Sequence, residues 1–439
     1  MLRPFSLITI TQVTPYIYQE NGRSVTVTRN SVIVLDFVHS YEIENGWENH
    51  TGNATVSFPK NIILQTDKFM FQQSGTYNVI LGGTVNGNKV PPLFLRGDKI
   101  IIEDGYRFFN EAGKEIKEQT TRFIGFISRV HSEVPIVLDC EDNFYLLKKT
   151  PIGITRFPTS NSGSTKMLDL CRIMLANCNK LFGTSLKLFT KTDEVIQNFS
   201  LGYLDIDYQT MSCAMVLQKL KQRYGVNSFF VGDELWFCFK VYDEDRANSR
   251  NFFEFQNNIS SENLDYTNKG DVVVSTVVSC QTIRATNRTT RSGAAATKRF
   301  RKSVYVYWDN ITETFKYFQI DANHPLPPNE GGERHKTVYG VALTEPEPTV
   351  QQMATKGIQE LEKYYYTGFR GSFTTLGYPF VVWNDNVNIT DKFIADRNGQ
   401  YKIKKVKYTG GVNGLKQELF LDFKQQIKIP TSTTEISMI

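Results

Sequence analysis

The sequence predicts a mainly β fold with an α+β insert: two small antiparallel β-barrels plus a helix-and-hairpin domain. Three observations carry that reading. Tyr and Phe dominate the aromatic content, which is 13% of the 439 residues, and aromatic and β-branched side chains favour a pleated, half-buried surface. Short runs alternate apolar and polar residues and are punctuated by Gly, Pro, Asn and Asp, the pattern of many short strands. Helical spacing is confined to three stretches. At ~150 residues per domain, the length allows about three domains.

From Ser24 to Lys149 strand follows strand. "SVTVTRNSVIVLDFVHSYEI" alternates at length, and "NATVSFP" sets Ala54, Val56 and Phe58 on one face against Thr55 and Ser57. "RGDKIIIEDGY" opens on a turn at Arg96-Gly97-Asp98, and "RFIGFISRV" and "PIVLDCEDNFYLL" follow, with Pro135 at the start of its strand. This defines a first domain over residues 1–150.

The Ser-, Pro-, Gly- and Thr-rich stretch "PIGITRFPTSNSGST" opens the insert, residues 151–250. Ser164 or Thr165 caps a helix with Met167, Leu170, Cys171, Met174, Cys178 and Leu181 on one face, and Gly183 stops it. A second helix starts near Thr210, carries Cys213, Val216, Leu217, Leu220 and Tyr224, and ends at Gly225. "SFFVGDELWFCF" is then a hairpin about Gly232-Asp233.

Strands resume over 251–425, the second predicted barrel, interrupted by loops and a third helix that runs from "EPTVQQ" to Gly368. The stretch Thr286–Lys302 is expected to be a loop that orders only against a partner, since its Gly-Ala-Ala-Ala core has little to bury and its charges repel. Strands Tyr401–Tyr408 and Lys416–Phe423 close this barrel, as Ile124–Val130 and Ile136–Leu147 close the first, with Gly410, Gly411 and Gly414 in the turn. Ile403 and Val406 face the core; Lys402, Lys404, Lys405 and Lys407 face solvent, a neighbour or a channel. Residues 426–439 read as a polar tail.

A formal net charge of +5 is modest for this size and does not mark a nucleic-acid binder by itself. Six scattered cysteines form no C-x-x-C pair, so they read as reduced, buried and small. The N-terminal "MLRPFSLITITQVTP" is too short and polar for a secretory signal. No run approaches a membrane span, so no stable membrane association is expected. His39, His50, His131, His324 and His335 have no metal-ligand spacing. Glycine-rich "LGGTVNG" matches no phosphate loop. The acidic clusters Glu141-Asp142 and Asp243-Glu244-Asp245 read as solvated turns. No catalytic, cofactor-binding or metal residues are assigned, and no enzyme activity is expected. The candidate contacts to DNA or an acidic partner are Arg288, Arg291, Lys298, Arg299, Arg301 and Lys302, weighed against a plain solvated loop.

Three stretches in order resemble the tail hub proteins of bacteriophages: the contractile-baseplate hub, the tail-associated proteins of long flexible tails, and the N-terminal region of type VI secretion spikes. They are "YEIENGWENHTGNATVSFPKNI", then "RGDKIIIEDGY" with "RFIGFISRVHSEVPIVLDCEDNFYLLKKTP", then "GYPFVVWNDNVNITDKFIADRNGQYKIKKVKYTGGVNGLKQELFLD". The middle "VLQKLKQRYGVNSFFVGDELWFCF" is similar to the family's helix-plus-hairpin insert. "WNDNVNITD" departs from the family in lacking a Gly-Asp turn, and no lytic domain is seen.

The resemblance implies two tube-type barrels per chain and a homotrimer with a pseudo-six-fold ring, a hexamer being the alternative. The ring would join the tail tube or an adaptor ring to distal spike or fibre proteins and let genomic DNA pass during ejection. The expected location is the virion tail, assembled in the host bacterial cytoplasm. The competing reading is a carbohydrate-binding receptor-recognition or adhesin β protein, with Tyr364-Tyr365-Tyr366 as its aromatic platform.

Overall fold

The computed structural model describes residues 3–46, 49–59, 65–66, 69–70, 83–85, 88–109, 111–131, 135–152, 167–189, 210–224, 226–238, 251–268, 274–289, 295–312, 314–329, 333–342, 348–361, 364–424 and 437–438. The first segment contains β1 (Arg3–Thr11), β2 (Tyr16–Glu20), β3 (Arg23–Val27), β4 (Val32–Leu35), β5 (Ser40–Gly46) and β6 (Asn53–Phe58). Two short pairs follow: β7 (Gln65–Thr66) with β8 (Phe69–Met70), and β9 (Gly83–Val85) with β10 (Asn88–Val90). It ends with β11 (Lys99–Phe109), β12 (Glu115–His131), β13 (Ile136–Glu141) and α1 (Phe144–Lys149).

The insert holds α2 (Met167–Phe182), β14 (Lys187–Phe189), α3 (Cys213–Tyr224), β15 (Asn227–Val231) and β16 (Glu234–Cys238). The last segment contains β17 (Asn251–Glu254), β18 (Ile259–Thr267), β19 (Val274–Thr289), β20 (Ala295–Asp309), β21 (Thr314–Gln319), β22 (Glu333–Ala342) and α4 (Val350–Leu361). It continues through β23 (Gly368–Leu376), β24 (Asn386–Thr390), β25 (Gly399–Gly411), β26 (Lys416–Lys424) and β27 (Ser437–Met438).

Among the described residues the two expected closed barrels are replaced by one open sheet of 13 strands, ordered β18-β23-β26-β25-β5-β6-β13-β12-β11-β1-β4, with β24 and β17 branching from β25. Alternation decides which face of a strand is buried, not which edge it offers. Here β25 pairs β26 on one side and β5 of the first segment on the other. One apolar cluster correspondingly runs through both segments, from Ile8, Ile43 and Val56 to Phe373, Ile403 and Leu419.

Within this sheet the same unit occurs twice. The first unit is β5-β6-β13-β12-β11 and the second is β18-β23-β26-β25-β24, each antiparallel throughout. If the five strands are numbered along the chain, both units have the spatial order 1-2-5-4-3. Even a local irregularity is shared: the ladder slips between Ile127 and Arg129 in β12, and between Ile403 and Lys405 in β25. Such β-bulges change which side chains face inward. A further slip between Tyr401 and Ile403 explains why the lysines of β25 alternate unevenly, and it turns Lys402 inward, 3% exposed, contrary to the expected outward face.

Two further cores flank the sheet. The insert buries Met167, Leu170, Cys171, Met174 and Cys178 of α2 against Val216, Leu217 and Leu220 of α3, with Phe229 and Phe237 from the hairpin. Leu181, expected on that face, is exposed at the last turn before Gly183, whose φ of +65° ends the helix. The five-stranded sheet β22-β19-β20-β21-β27 packs on α4 through Val278, Val304, Val306, Met353 and Ile358.

Other expectations shift locally. Arg3–Thr11, read only as a non-signal, is a core strand burying Ile8 and Ile10. The predicted strand Ile136–Leu147 stops at Glu141, because buried Asp142 accepts hydrogen bonds from the backbone of Gly52 (2.7 Å) and Phe144 (2.9 Å) and turns the chain into α1. α4 starts at a reciprocal cap, with Gln352 N donating to Thr349 Oγ1 (3.1 Å) and Thr349 N to Gln352 Oε1 (2.8 Å). It reaches Leu361 rather than Gly368. Thr286–Thr289 and Ala295–Lys302 are not a loop but the arms of the β19–β20 hairpin; 290–294 lie outside the described residues. In the expected polar tail, Ser437 and Met438 pair in parallel with Lys316 and Tyr317. Five cysteines, Cys140, Cys171, Cys178, Cys213 and Cys280, are buried and free.

Candidate functional site

The place where the two units meet combines surface ion pairs with a buried polar network. β25 runs antiparallel to β5 from Lys405 opposite Gly46 to Gly411 opposite Ser40. On the outer face two ion pairs cross this seam, Lys407 Nζ to Glu42 Oε1 at 2.8 Å and Lys405 Nζ to Glu44 Oε1 at 3.0 Å. Lys405 also lies 4.4 Å over the Phe420 ring. At the far end Gly410 allows contact with Tyr41: a Cβ there would sit 2.3 Å from the phenol ring. Gly411 and Gly414, with φ of +124° and +82°, form the hairpin turn.

Beneath the seam lies a buried polar network. Arg122 Nε donates to Asp104 Oδ1 at 2.5 Å, and the Tyr41 hydroxyl donates to Asp104 Oδ2. The Arg122 guanidinium lies 3.9 Å over Phe380 and 4.9 Å over Tyr408, both from the second segment. Tyr408 donates to the Val381 carbonyl at 2.5 Å, and Gln417 Nε2 to that of Pro379 at 2.5 Å. Burial first, and then the Asp104 charge, push the Tyr41 phenol far above its ordinary pKa. Tyr106 shifts upward for the same two reasons. These groups spend their polar capacity on holding the two segments of the chain together.

The turn that leads into each unit's third strand is built alike. Gly97 N donates to Ile127 O (2.7 Å) and Ile127 N to Asp98 O (2.9 Å); Asn384 N donates to Ile403 O (2.7 Å) and Ile403 N to Asp385 O (2.9 Å). Asp98 Oδ2 accepts from Leu95 N, and Asp385 Oδ2 from Val382 N, both at 2.9 Å. Gly97 has φ +98° and Asn384 φ +73°. The Gly-Asp turn missing from the second unit's sequence is therefore present as Asn384-Asp385, since Asn tolerates the left-handed region.

The insert contacts both units. His50 Nδ1 lies 3.0 Å from Ser228 Oγ, and Asn143 Nδ2 donates to the Gly232 carbonyl at 2.8 Å. From the second segment Trp383 packs edge-on to Phe229, 4.9 Å between centroids.

The basic candidates are not assembled into this site. Arg301 donates to Ser279 Oγ (3.0 Å) and Lys302 to the Pro348 carbonyl (2.9 Å). Arg288 lies on β19 and Lys298 and Arg299 on β20; Arg291 lies outside the described residues. Of the acidic clusters, Glu141 pairs with Lys148 at 2.7 Å, Asp142 is buried, and residues 243–245 lie outside the described residues. Among the described residues no group of three or more His, Cys, Asp or Glu converges on a metal-sized site, and no helix is long and apolar enough to cross a membrane. Sequence reading missed Arg122, Asp104 and Tyr41; a basic residue in an alternating strand gives no sign of burial.

Compared with solved structures, the chain aligns over nearly its whole length with two tail proteins and with a chain of a PdpA-VgrG complex. It aligns with the tail protein from Neisseria meningitidis MC58 over 96% of this chain and 97% of that one, at 11% identity and a TM-score of 0.46. The prophage MuSo2 43 kDa tail protein from Shewanella oneidensis matches over 96% and 98%, at 11% identity and a TM-score of 0.46. A chain of the Francisella PdpA-VgrG complex matches over 99% of this chain and 60% of that one, at 11% identity and a TM-score of 0.43. By sequence, no family model and no curated protein matches.

Proposed function

We propose that this chain is a structural tail hub: a homo-oligomeric ring that joins a tail tube or adaptor ring to a distal spike or fibre apparatus and surrounds the path of DNA. The observation that supports it most is the doubled five-strand unit, joined edge to edge at β5–β25. A chain carrying two similar units in fixed relation lets three copies offer six similar faces, so a three-fold ring can meet a six-fold tube with few distinct interfaces. Residues 1–150 and 251–425 would supply the tube-type domains and 151–250 the insert. The role is mechanical, with no chemical step assigned to any residue, and the location is the virion tail.

The carbohydrate-binding reading loses its platform. Tyr364 stacks on His335 at 4.0 Å, Tyr365 packs on Trp308 at 4.2 Å, and Tyr366 is 3% exposed. The hub reading is tested by mass measurement and electron microscopy of the purified full chain. Closed rings of three copies, burying more than ~2,000 Å² per contact, are expected; a monomer at every concentration would sink it.

A further inference from the structure

The two units are alike in strand order but not in what their edges meet. In the first unit, the outer edge of its first strand, β5, is covered by the fourth strand of the second unit, β25. In the second unit the corresponding edge, that of β18, pairs only with β23 among the described residues. Conversely, β25 continues beyond Ile403 into a stretch that receives β5, whereas β12 beyond Ile127 pairs, among the described residues, on one side only, with β13. One chain thus carries one filled junction and the two unfilled halves of another.

The ladders align these halves residue by residue. The shared bulge matches Ile127 with Ile403, so Arg129 corresponds to Lys405 and His131 to Lys407. Following the ladders through β13–β6–β5 and β26–β23–β18 matches Glu44 with Asp265 and Glu42 with Asn263. In the filled junction Lys405 pairs with Glu44 at 3.0 Å. Its counterparts in the unfilled junction are Arg129 and Asp265, a base and an acid again, both exposed.

We propose that β18 of one copy of this chain pairs antiparallel with the β12 end, Arg129–His131, of a second copy, repeating between chains the seam that β5 and β25 form within one. The register carried over sets His131 opposite Asp265 and brings Arg129 to the Asp265 carboxylate. The inference rests on the homo-oligomeric reading above and specifies its interface. Charge supports a second copy as the occupant. Exposed Glu262 and Asp265 guard β18 against indiscriminate strand addition, and an edge bearing Arg129 removes that repulsion. Because the contact is head-to-tail, it closes into a ring if the rotation per copy allows.

Charge reversal tests this on the full chain. Arg129→Asp and Asp265→Arg should each weaken self-association by roughly tenfold or more, measured by light scattering, with thermal unfolding of the protomer unchanged. Combining both reversals should restore the assembled mass. In an equimolar mixture the two single variants complement each other, because the introduced aspartate of one faces the introduced arginine of the other and the retained Arg129 faces the retained Asp265. Unlike chains should therefore recover pairwise association that neither variant shows alone, while a ring of three keeps one repulsive like contact. Single variants that assemble like wild type, or a double variant that stays dissociated, would overturn the β12–β18 junction while leaving the ring reading intact. A wild-type monomer would overturn both.

Discussion

Gly97-Asp98 in the first unit and Asn384-Asp385 in the second hold the same backbone bonds, to Ile127 and to Ile403, yet the two aspartates are used differently. Asp98 is fully buried and pairs with Arg29 at 3.0 Å, while its Oδ1 accepts from Val13 and Thr14 N–H at 3.2 and 3.1 Å. Arg29 also donates to the Leu93 carbonyl at 2.7 Å. The first turn therefore anchors the base of the exposed β2–β3 hairpin as well as its own strand. A repeated topology fixes the backbone ladder; side chains around it are free to take on separate tasks. The second unit shows the same freedom in its loop between the first two strands, which holds β19, β20, β21 and β22 of the five-stranded sheet together with α4.

The largest expected effect concerns the bond between units. Arg122→Ala leaves Asp104 buried without its guanidinium and strips the cation from Phe380 and Tyr408. A loss of roughly 3–5 kcal/mol follows from removing one partner of a buried pair, read from urea unfolding. Hydrogen exchange should rise in both β5 and β25. Protection lost in only one unit would show that the seam does not couple them.

The paired turns can be separated next. A Cβ on Gly97 would meet Thr14 Oγ1 at 2.8 Å, on top of the strain of φ +98°. Gly97→Ala should cost roughly 1–3 kcal/mol, while Asn384→Gly, which keeps a permissive residue at φ +73°, should cost less than ~1 kcal/mol. Equal costs at both turns would contradict the distinction drawn between them.

Asp142 joins the first unit to α1, and burial raises its pKa from 3.8 to about 7 despite hydrogen bonds from Gly52 and Phe144 that act the other way. The folded chain then holds this proton where the unfolded chain has released it. Stability should fall as pH rises from about 4 to about 7, by up to ~1.4 kcal/mol per pH unit, and level off outside that window. Asp142→Asn should flatten the slope in a denaturation series across these pH values; an unchanged slope would assign it to other groups.

The smallest effect is expected on the outer face of the seam. Lys407 lies 2.8 Å from Glu42, whose side chain is 51% exposed. Lys407→Ala should cost under ~1 kcal/mol and less still at high salt. A larger, salt-independent loss would move the strength of the seam from the buried network to its surface.

Local pattern by itself decided a good deal. Period two in "NATVSFP" and the spacing in "YKIKKVKY" were enough to bury Val56, Phe58, Ile403 and Val406, because side chains on a strand alternate between faces. Helical spacing placed α2 and α3, and Gly232, at φ +60°, marked the insert's hairpin. Edges were decided only in three dimensions. The alternation of β25 is the same whether its free edge meets its own segment or β5, and nothing near Arg122 in sequence supplies Asp104, Phe380 and Tyr408. The stretch Thr286–Lys302, read as a charged loop, became largely strand because β19 and β20 pair along their length. Faces follow from neighbours along the chain, whereas partners follow from which distant edges can satisfy each other's backbone bonds and buried charges at once.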